Sequence, residues 1–126
     1  PMLFGQIGDC VVLGLPGNPV AVFVCFLLYA RPLIARLAGA RWREQRRFRL
    51  PAGFAFPGKK TDRREYWRGS IADTADGPVL TKYRRDGSGL ISSLRAADGL
   101  IEVGEAVTGV AEGDLLDFIP FSEFGI

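Results

Sequence analysis

The sequence has no histidine, two cysteines and one methionine among its 126 residues. Without histidine, imidazole general-base catalysis and histidine metal ligands are excluded within this chain. Cys10 and Cys25 lie far apart in apolar surroundings, so they lack the short spacing of a zinc or redox pair. We expect both to be buried thiols in a reducing cytoplasm.

The net charge is small, and no apolar run is long. A net charge of +2 is too small to indicate nucleic-acid binding by itself. The longest apolar run, residues 20–30, is shorter than the roughly 20 residues that a membrane span requires. Because this run has no charged residue on any side, it predicts a central core helix. Hydrophobic residues make up 48% of the chain, which is enough for a packed core.

The segment GLPGNPV, residues 14–20, predicts a strand, a tight turn and the start of a helix. Pro16 and Gly17 suit the two corners of the turn. Asn18 can cap the helix, and Pro19 suits its first position, where the missing N–H costs nothing. The amide groups at such a helix start favour an anion, although a capped turn of this kind is more often purely structural.

The remaining N-terminal pattern predicts a hairpin and a long helix. Residues 3–7 and 10–15 read as short strands joined at Gly8 and Asp9. The helix is predicted over residues 19–38, and Gly39 ends it. We expect a kink or a break near Pro32, because its ring would clash with the carbonyl group of Leu28.

Five arginines fall within residues 41–49, which marks the predicted domain boundary. Solvated linker charges that lead into an edge strand explain this run, and a nucleic-acid patch is the alternative. Beyond it, a small β-barrel or sandwich is predicted from five short strand patterns, at residues 48–56, 65–72, 78–84, 100–103 and 115–120. Residues 90–97 have helical spacing instead.

A second cluster of chemistry-bearing residues covers residues 59–69. If residues 65–68 form a strand, Arg64, Tyr66 and Arg68 share one face, and Glu65 and Trp67 share the other. An arginine pair beside an aromatic ring suits a phosphate or another oxyanion, because guanidinium offers forked donors and keeps its charge. The alternative is a pair of exposed strand arginines without a ligand.

A third cluster surrounds Gly87, Ser88 and Gly89, directly before the predicted helix. The two glycines allow the backbone to approach a ligand closely, and amide and hydroxyl donors favour an anion. A simple turn before a helix is the structural alternative.

The joint order of the three motifs resembles the C-terminal half of the MoeA family of molybdopterin molybdenumtransferases, whose eukaryotic relatives include the gephyrin E domain. That family carries GLPGNPV, an arginine-rich strand ending in Arg-Gly, and a Gly-Ser turn leading into a Ser-Ser helix and an aliphatic strand. Here these are residues 14–20, 63–69 and 87–93, followed by 100–103. The resemblance covers essentially the whole chain. One departure is Asp86, which replaces the first serine of the family's Ser-Gly-Ser-Gly turn.

The resemblance implies a mixed α/β plus all-β fold. Residues 1–43 would be a strand–turn–helix remnant of the molybdopterin-binding α/β domain, and residues 44–126 a C-terminal β-barrel domain like MoeA domain IV. Arg68 and Ser88 match positions at which the family's barrel contributes to function. The substrate-binding residues that we carry over are Pro16, Gly17, Asn18, Pro19, Arg64, Arg68, Gly87 and Ser88.

The resemblance also implies an activity for the full-length protein, namely insertion of molybdate into adenylylated molybdopterin during molybdenum cofactor biosynthesis. Magnesium would assist, with ligands outside this chain, and no catalytic residue is assigned within it. The protein would be a homodimer that works with a MogA-type adenylyltransferase. Because the chain starts at Pro1 rather than methionine, we expect it to be a piece of a longer protein. The family's metal-binding acids would lie upstream of Pro1, so we expect this fragment to lack a complete active site and to be inactive alone.

Two other classes of function stay open at this point. One is a protein-interaction module of the gephyrin E-domain type, which requires an exposed apolar groove. The other is a basic β-barrel that binds single-stranded nucleic acid through the arginine-rich run, with Trp42, Tyr66 and Trp67 as stacking faces.

Overall fold

The computed structural model describes residues 2–15, 17, 19–83 and 97–125, with the backbone alone for Pro19 and Val20. These residues fall into two compact units, one ending at Glu44 and the other beginning at Gln45. Within the described residues, no helix is long and apolar enough to cross a membrane.

The N-terminal unit begins with an antiparallel hairpin of β1 (Leu3–Ile7) and β2 (Cys10–Gly14). Gly8 has a φ of 58°, a conformation that the tight turn between the strands requires of it. The predicted hairpin is therefore confirmed.

The prediction that both thiols are buried is wrong, since Cys10 is exposed and Cys25 half-buried. The hairpin is largely exposed, so its strand cysteine is exposed with it.

The helical segment consists of α1 (Pro19–Cys25), a π-helical turn (Phe26–Ala30) and α2 (Arg31–Leu37). The π turn ends directly before the Arg31-Pro32 pair, and the Arg31 N–H donates to the Phe26 carbonyl five residues earlier. Pro32 cannot donate to the carbonyl of Leu28 as a regular α-helix would require. The expected irregularity at Pro32 is thus present as a wider turn on its N-terminal side.

The central core helix that the apolar run predicts is not fully buried in this chain. Among the described residues of the helical segment, only Leu27 and Ala30 are buried. Phe26 and Tyr29 are 40% and 45% exposed. A helix that is apolar on every side needs partners on every side, and the N-terminal unit has too few elements to provide them.

The second unit is an antiparallel sheet that curls into a half-barrel. Among the described residues its strands are β3 (Phe48–Pro51), β4 (Glu65–Thr74), β5 (Gly77–Lys82), β6 (Gly99–Val103) and β7 (Leu115–Pro120), in the order β3-β7-β6-β4-β5. The two edges of the sheet meet at a bridge between Ala52 and Leu80. A 3-10 helix (Phe121–Phe124) follows β7. All five predicted strands are confirmed, although the first ends at Pro51 and Phe56 forms a separate bridge with Val110.

The core of the half-barrel is organised around one row of side chains. Trp67 pairs with Ile101, and Ile101 pairs with Phe118, across three adjacent strands. Ile101 and Phe118 are fully buried, and Phe54 and Phe56 pack against Trp67 with ring centroids 6.2 and 4.8 Å away. This apolar row fixes which face of β4 points inward.

The described fold is therefore mostly β, with one curled sheet and one irregular helical segment. The predicted helix at residues 90–97 lies almost entirely outside the described residues. The assignment of residues 1–43 to a larger α/β domain stays a prediction.

Candidate functional site

The side chains of β4 alternate as the sequence predicted. Trp67 points into the core, and its neighbours Tyr66 and Arg68 are half-buried on the opposite face. This alternation follows from the pleat of the strand. The arginine-bearing face is consequently anchored by a buried tryptophan on its reverse side.

Arg64 is engaged by two carboxylates. Its Nε and Nη2 donate to the two oxygens of Glu105 at 3.0 and 3.3 Å, and Nη1 lies 3.5 Å from Glu102 Oε2. The hydrogen bonds to Glu105 and the charges of Glu102 and Glu105 hold the pKa of Arg64 above its ordinary value. The hydrogen bonds from Arg64 likewise hold the pKa of Glu105 below its ordinary value. Any anion at Arg64 would compete with both carboxylates.

Glu102 is the centre of this network and was missed as an important residue by sequence reasoning. It accepts from Arg47 Nε and Nη2 at 2.9 and 3.1 Å and from the Tyr66 hydroxyl at 2.8 Å. Burial opposes its ionisation, but the hydrogen bonds from Arg47 and Tyr66 and the charges of Arg47 and Arg64 hold its pKa below the ordinary value. A single acid inside the apolar strand LIEV was the available signal, because buried acids are almost always paired.

Arg68 has a different environment from Arg64. Its Cζ lies 5.3 Å from the centroid of the Tyr83 ring, and the Tyr83 N–H donates to the Arg68 carbonyl at 3.1 Å. The guanidinium is therefore stacked on an aromatic face, at a distance typical of a cation–π interaction.

A pocket of about 200 Å³ lies beside Arg68. It is lined by Phe56, Glu65, Tyr66, Trp67, Arg68, Lys82 and Tyr83. Its lining includes Lys82, which forms the last pair of the β4–β5 register with Gly69. The Lys82 ammonium lies 4.9 Å from the Phe56 ring centroid and 5.2 Å from that of Trp67. Sequence reasoning did not single out Lys82 or Tyr83. Alternation along β5 alone does not show that these two residues line a pocket with Arg68.

The loop before β4 is held by a buried lysine. The Lys59 ammonium donates to the carbonyl groups of Lys60 and Arg63 at 2.9 and 2.6 Å and lies 3.9 Å from Glu65 Oε2. Its side chain is completely buried. A buried ammonium is stable only with such partners, so Lys59 fixes the course of the chain into the arginine-bearing strand.

Two of the other predicted site residues belong to the N-terminal unit. Gly17 lies in a bend between β2 and α1, and Pro19 is the first residue of α1. Pro16, Asn18, Gly87 and Ser88 lie outside the described residues. Across residues 2–15, 17, 19–83 and 97–125, no group of three acidic or cysteine side chains is arranged to hold a metal ion.

The arginine-rich run is partly used within the second unit. Arg46 Nε lies 3.3 Å from Glu123, Arg47 pairs with Glu102, and Arg49 donates to the Leu115 carbonyl at 3.3 Å. These contacts support the interpretation of the run as a linker that enters an edge strand.

Residues 49–121 match the family model of the MoeA C-terminal region, domain IV. The chain belongs to the MoeA family. It is 28% identical over 97% of its length to a molybdopterin molybdenumtransferase of Haemophilus influenzae, and 32% identical over 92% to molybdopterin molybdenumtransferase 2 of Mycobacterium tuberculosis. It spans only 30% and 28% of those two relatives.

Two solved structures superimpose on this chain over part of their own length. A molybdopterin biosynthesis MoeA protein from Pyrococcus horikoshii superimposes with a TM-score of 0.71 at 26% identity, covering 96% of this chain and 29% of that one. A molybdenum cofactor biosynthesis protein from Pyrococcus furiosus gives 0.63 at 30% identity, covering 82% and 36%. The MoeA chain described here thus corresponds to about a third of those proteins.

Proposed function

We propose that this MoeA chain is part of a molybdopterin molybdenumtransferase, which inserts molybdate into adenylylated molybdopterin. The observation that carries the proposal is the environment of Arg68. The family motif implies a role in the site for this residue, and Arg68 lines a pocket together with Lys82 and four aromatic residues. A permanently charged guanidinium in such a pocket supplies charge-assisted hydrogen bonds to a phosphate or molybdate oxygen.

We further propose a division of roles between the arginines of β4 and the loop before it. Arg68 contacts the oxyanion, whereas Arg64 is a positioning residue, because Glu105 and Glu102 already engage its guanidinium. Ser88 and Gly87 would line the same site, as the Gly-Ser turn of the family implies. Pro16, Gly17, Asn18 and Pro19 would belong to the molybdopterin side.

Magnesium does not fit the described residues. Glu102 and Glu105 are directed at guanidinium groups, and Glu65, which lines the Arg68 pocket, lies 3.9 Å from the Lys59 ammonium. Divalent magnesium instead requires carboxylates and water in octahedral geometry. We propose that its ligands lie in other parts of the full-length protein, and that the isolated chain is inactive for this reason.

The domain assignment is part of the same proposal. Residues 1–43 would be the end of the molybdopterin-binding α/β domain, and residues 44–126 the barrel domain. Support comes from the apolar side chains that the N-terminal unit leaves exposed, among them Leu3, Phe4 and Ile7 at 74%, 69% and 75%. A larger domain would cover them. A homodimer, and a MogA-type adenylyltransferase as partner, remain proposals drawn from the family.

The test is molybdate-dependent cofactor formation by the protein encoded by the complete reading frame that contains this chain. Arg68→Ala should reduce the rate at least tenfold, because losing a charge-assisted hydrogen bond costs about 1.5 to 3 kcal/mol. Ser88→Trp should also reduce it, by blocking the approach to the pocket. Pro19→Ala should have a smaller effect, since it only loosens a helix start.

Arg43→Ala is the matched control, because Arg43 is an exposed arginine of the linker. It should leave both the rate and the melting temperature unchanged. Wild-type protein that forms no cofactor would refute the proposed function. Full activity in Arg68→Ala, or activity lost only through unfolding, would refute the assignment of Arg68.

A further inference from the structure

We propose that Glu102 is a positioning residue for the Arg68 pocket, because it fixes the Tyr66 side chain that forms part of the pocket wall. The inference rests on the proposed function only in taking this pocket as the oxyanion site. Glu102 lies outside the pocket lining, whereas Tyr66 belongs to it. Glu102 therefore acts on a bound oxyanion through Tyr66.

Tyr66 belongs to the pocket and to the carboxylate network at once. Its hydroxyl donates to Glu102 Oε2 at 2.8 Å. A hydrogen bond between Tyr66 and Arg64 is also among the causes that raise the pKa of Arg64, after the hydrogen bond to Glu105 and the charges of Glu102 and Glu105. The strand backbone holds one end of the Tyr66 side chain, and this network holds the hydroxyl end. A tyrosine ring that is held at both ends is confined to one position.

The acceptor of the Tyr66 hydroxyl is itself held in place. Glu102 is 8% exposed in β6, where it pairs with Tyr66 on β4 and with Asp117 on β7. Arg47 donates to both of its oxygens, at 2.9 and 3.1 Å. Although burial raises it, the hydrogen bonds from Arg47 and Tyr66 hold the pKa of Glu102 below its ordinary value. An ionised carboxylate that a forked arginine grips is a preorganised support for the pocket wall.

Removal of the Glu102 carboxylate has two effects of opposite sign on oxyanion binding. It removes a negative charge near the arginine-bearing face, and this change alone strengthens the binding of an anion. It also releases the Tyr66 ring from its place in the pocket wall, which weakens binding to a preorganised site. A weaker affinity in a Glu102 variant therefore reports positioning, because the lost charge acts in the other direction.

The experiment measures binding of molybdate and of inorganic phosphate, titrated separately, to the full-length protein by calorimetry. Tyr66→Phe keeps the ring but removes the hydroxyl, and Glu102→Leu removes both acceptor oxygens at similar volume. We expect each change to weaken the affinity for the oxyanion that occupies the pocket by about three- to tenfold, the range of one hydrogen bond. The oxyanion whose affinity falls identifies the ligand as molybdate or a phosphate group. Glu102→Gln replaces Glu102→Leu if that variant does not fold.

A double variant separates positioning from stability. In the Tyr66→Phe background, Glu102→Leu should weaken binding no further, because the carboxylate then has no hydroxyl to hold. It should still lower the urea midpoint of unfolding, since Arg47 loses its acceptor. A residue with a purely structural role would weaken binding in both backgrounds.

Asp117→Asn is the matched control. It also removes a carboxylate from the face that carries Glu102, because the two residues are paired in the register of β6 and β7. Asp117 lies on the other side of β6 from Tyr66, however. This variant should not weaken the binding of either oxyanion.

The outcomes separate this inference from the proposed function. Wild-type affinity in Tyr66→Phe, tighter binding in Glu102→Leu, additive losses in the double variant, or a wild-type protein that binds neither oxyanion would overturn the role of Glu102. An equal loss in Asp117→Asn would do the same, because the effect would not pass through Tyr66. A protein that forms no cofactor, but whose oxyanion binding depends on Tyr66 and Glu102 as one unit, would refute only the proposed function.

Discussion

The Glu102 carboxylate accepts two parallel hydrogen bonds from Arg47, at 2.9 Å from Nε and 3.1 Å from Nη2. Arg47 directly precedes the edge strand β3, whereas Glu102 lies in the central strand β6. Tyr66 of β4 donates to the same carboxylate. Glu102 thus connects the residue before β3 with the central strands β6 and β4. The position of Tyr66 on the arginine-bearing face of β4 therefore depends on a carboxylate from another strand.

Glu102→Gln should destabilise the half-barrel by about 1 to 3 kcal/mol, because the change keeps the volume but leaves Arg47 and Tyr66 without their anionic acceptor. Urea unfolding followed by tryptophan fluorescence measures the difference. Glu112→Gln is the control, since Glu112 is exposed, and it should change the free energy of unfolding by less than about 0.5 kcal/mol. Equal midpoints for all three proteins would contradict the structural role of Glu102.

The stability of the half-barrel should fall in acid. The pKa values of Glu102 and Glu105 are lower than their ordinary value of 4.5. The unfolded chain therefore takes up protons that the folded state does not, and the stabilisation present above pH 4.5 is lost as the pH falls through the lower folded values. We expect urea midpoints that are nearly constant down to about pH 5 and then decline. Glu102→Gln should decline less steeply, and an unchanged slope would argue against this origin.

The local sequence pattern was sufficient to predict the strands and the inward position of Trp67, because alternation is a property of neighbouring residues. It was also sufficient for the irregular helix at Pro32. It failed for Cys10 and Phe26, whose burial depends on partners elsewhere in the sequence. It also failed for Glu102 and Lys82, since their partners lie on other strands and no local spacing brings them together.

Gly99 is a position at which only glycine fits. A Cβ atom there would lie 2.3 Å from the Ile119 carbonyl oxygen and 2.7 Å from Phe118 Cζ. Gly99→Ala should therefore separate β6 from β7 and cost about 3 kcal/mol or more. Gly104→Ala is the matched control, because a Cβ at Gly104 meets nothing within 4 Å. Urea denaturation of both variants gives the comparison, and similar midpoints would contradict the close approach of the two strands.

The N-terminal hairpin should make the isolated 126-residue chain self-associate. Leu3, Phe4 and Ile7 are exposed, and burying apolar surface contributes roughly 25 cal/mol per Å². Replacing all three with serine should reduce both light scattering and binding of a hydrophobic dye. Ile71→Ser is the control, since Ile71 is an exposed apolar residue of the barrel at 42%. A wild-type chain that stays monomeric at high concentration without binding dye would count against this prediction.

Tyr83 should act on oxyanion binding only through Arg68. The Arg68 guanidinium lies 5.3 Å from the Tyr83 ring centroid, so Tyr83→Phe keeps the stacking face and should preserve molybdate affinity. Tyr83→Leu removes the ring but keeps the backbone hydrogen bond to Arg68, and it should weaken binding about two- to fivefold, the range of a partly exposed cation–π pair. In an Arg68→Ala background the same change should have no further effect, because the two side chains act as one unit. Calorimetry on the wild type, Tyr83→Phe, Tyr83→Leu, Arg68→Ala and the double variant measures the affinities and completes the double-mutant cycle. Additive losses from Arg68→Ala and Tyr83→Leu would show that Tyr83 contributes independently of the arginine.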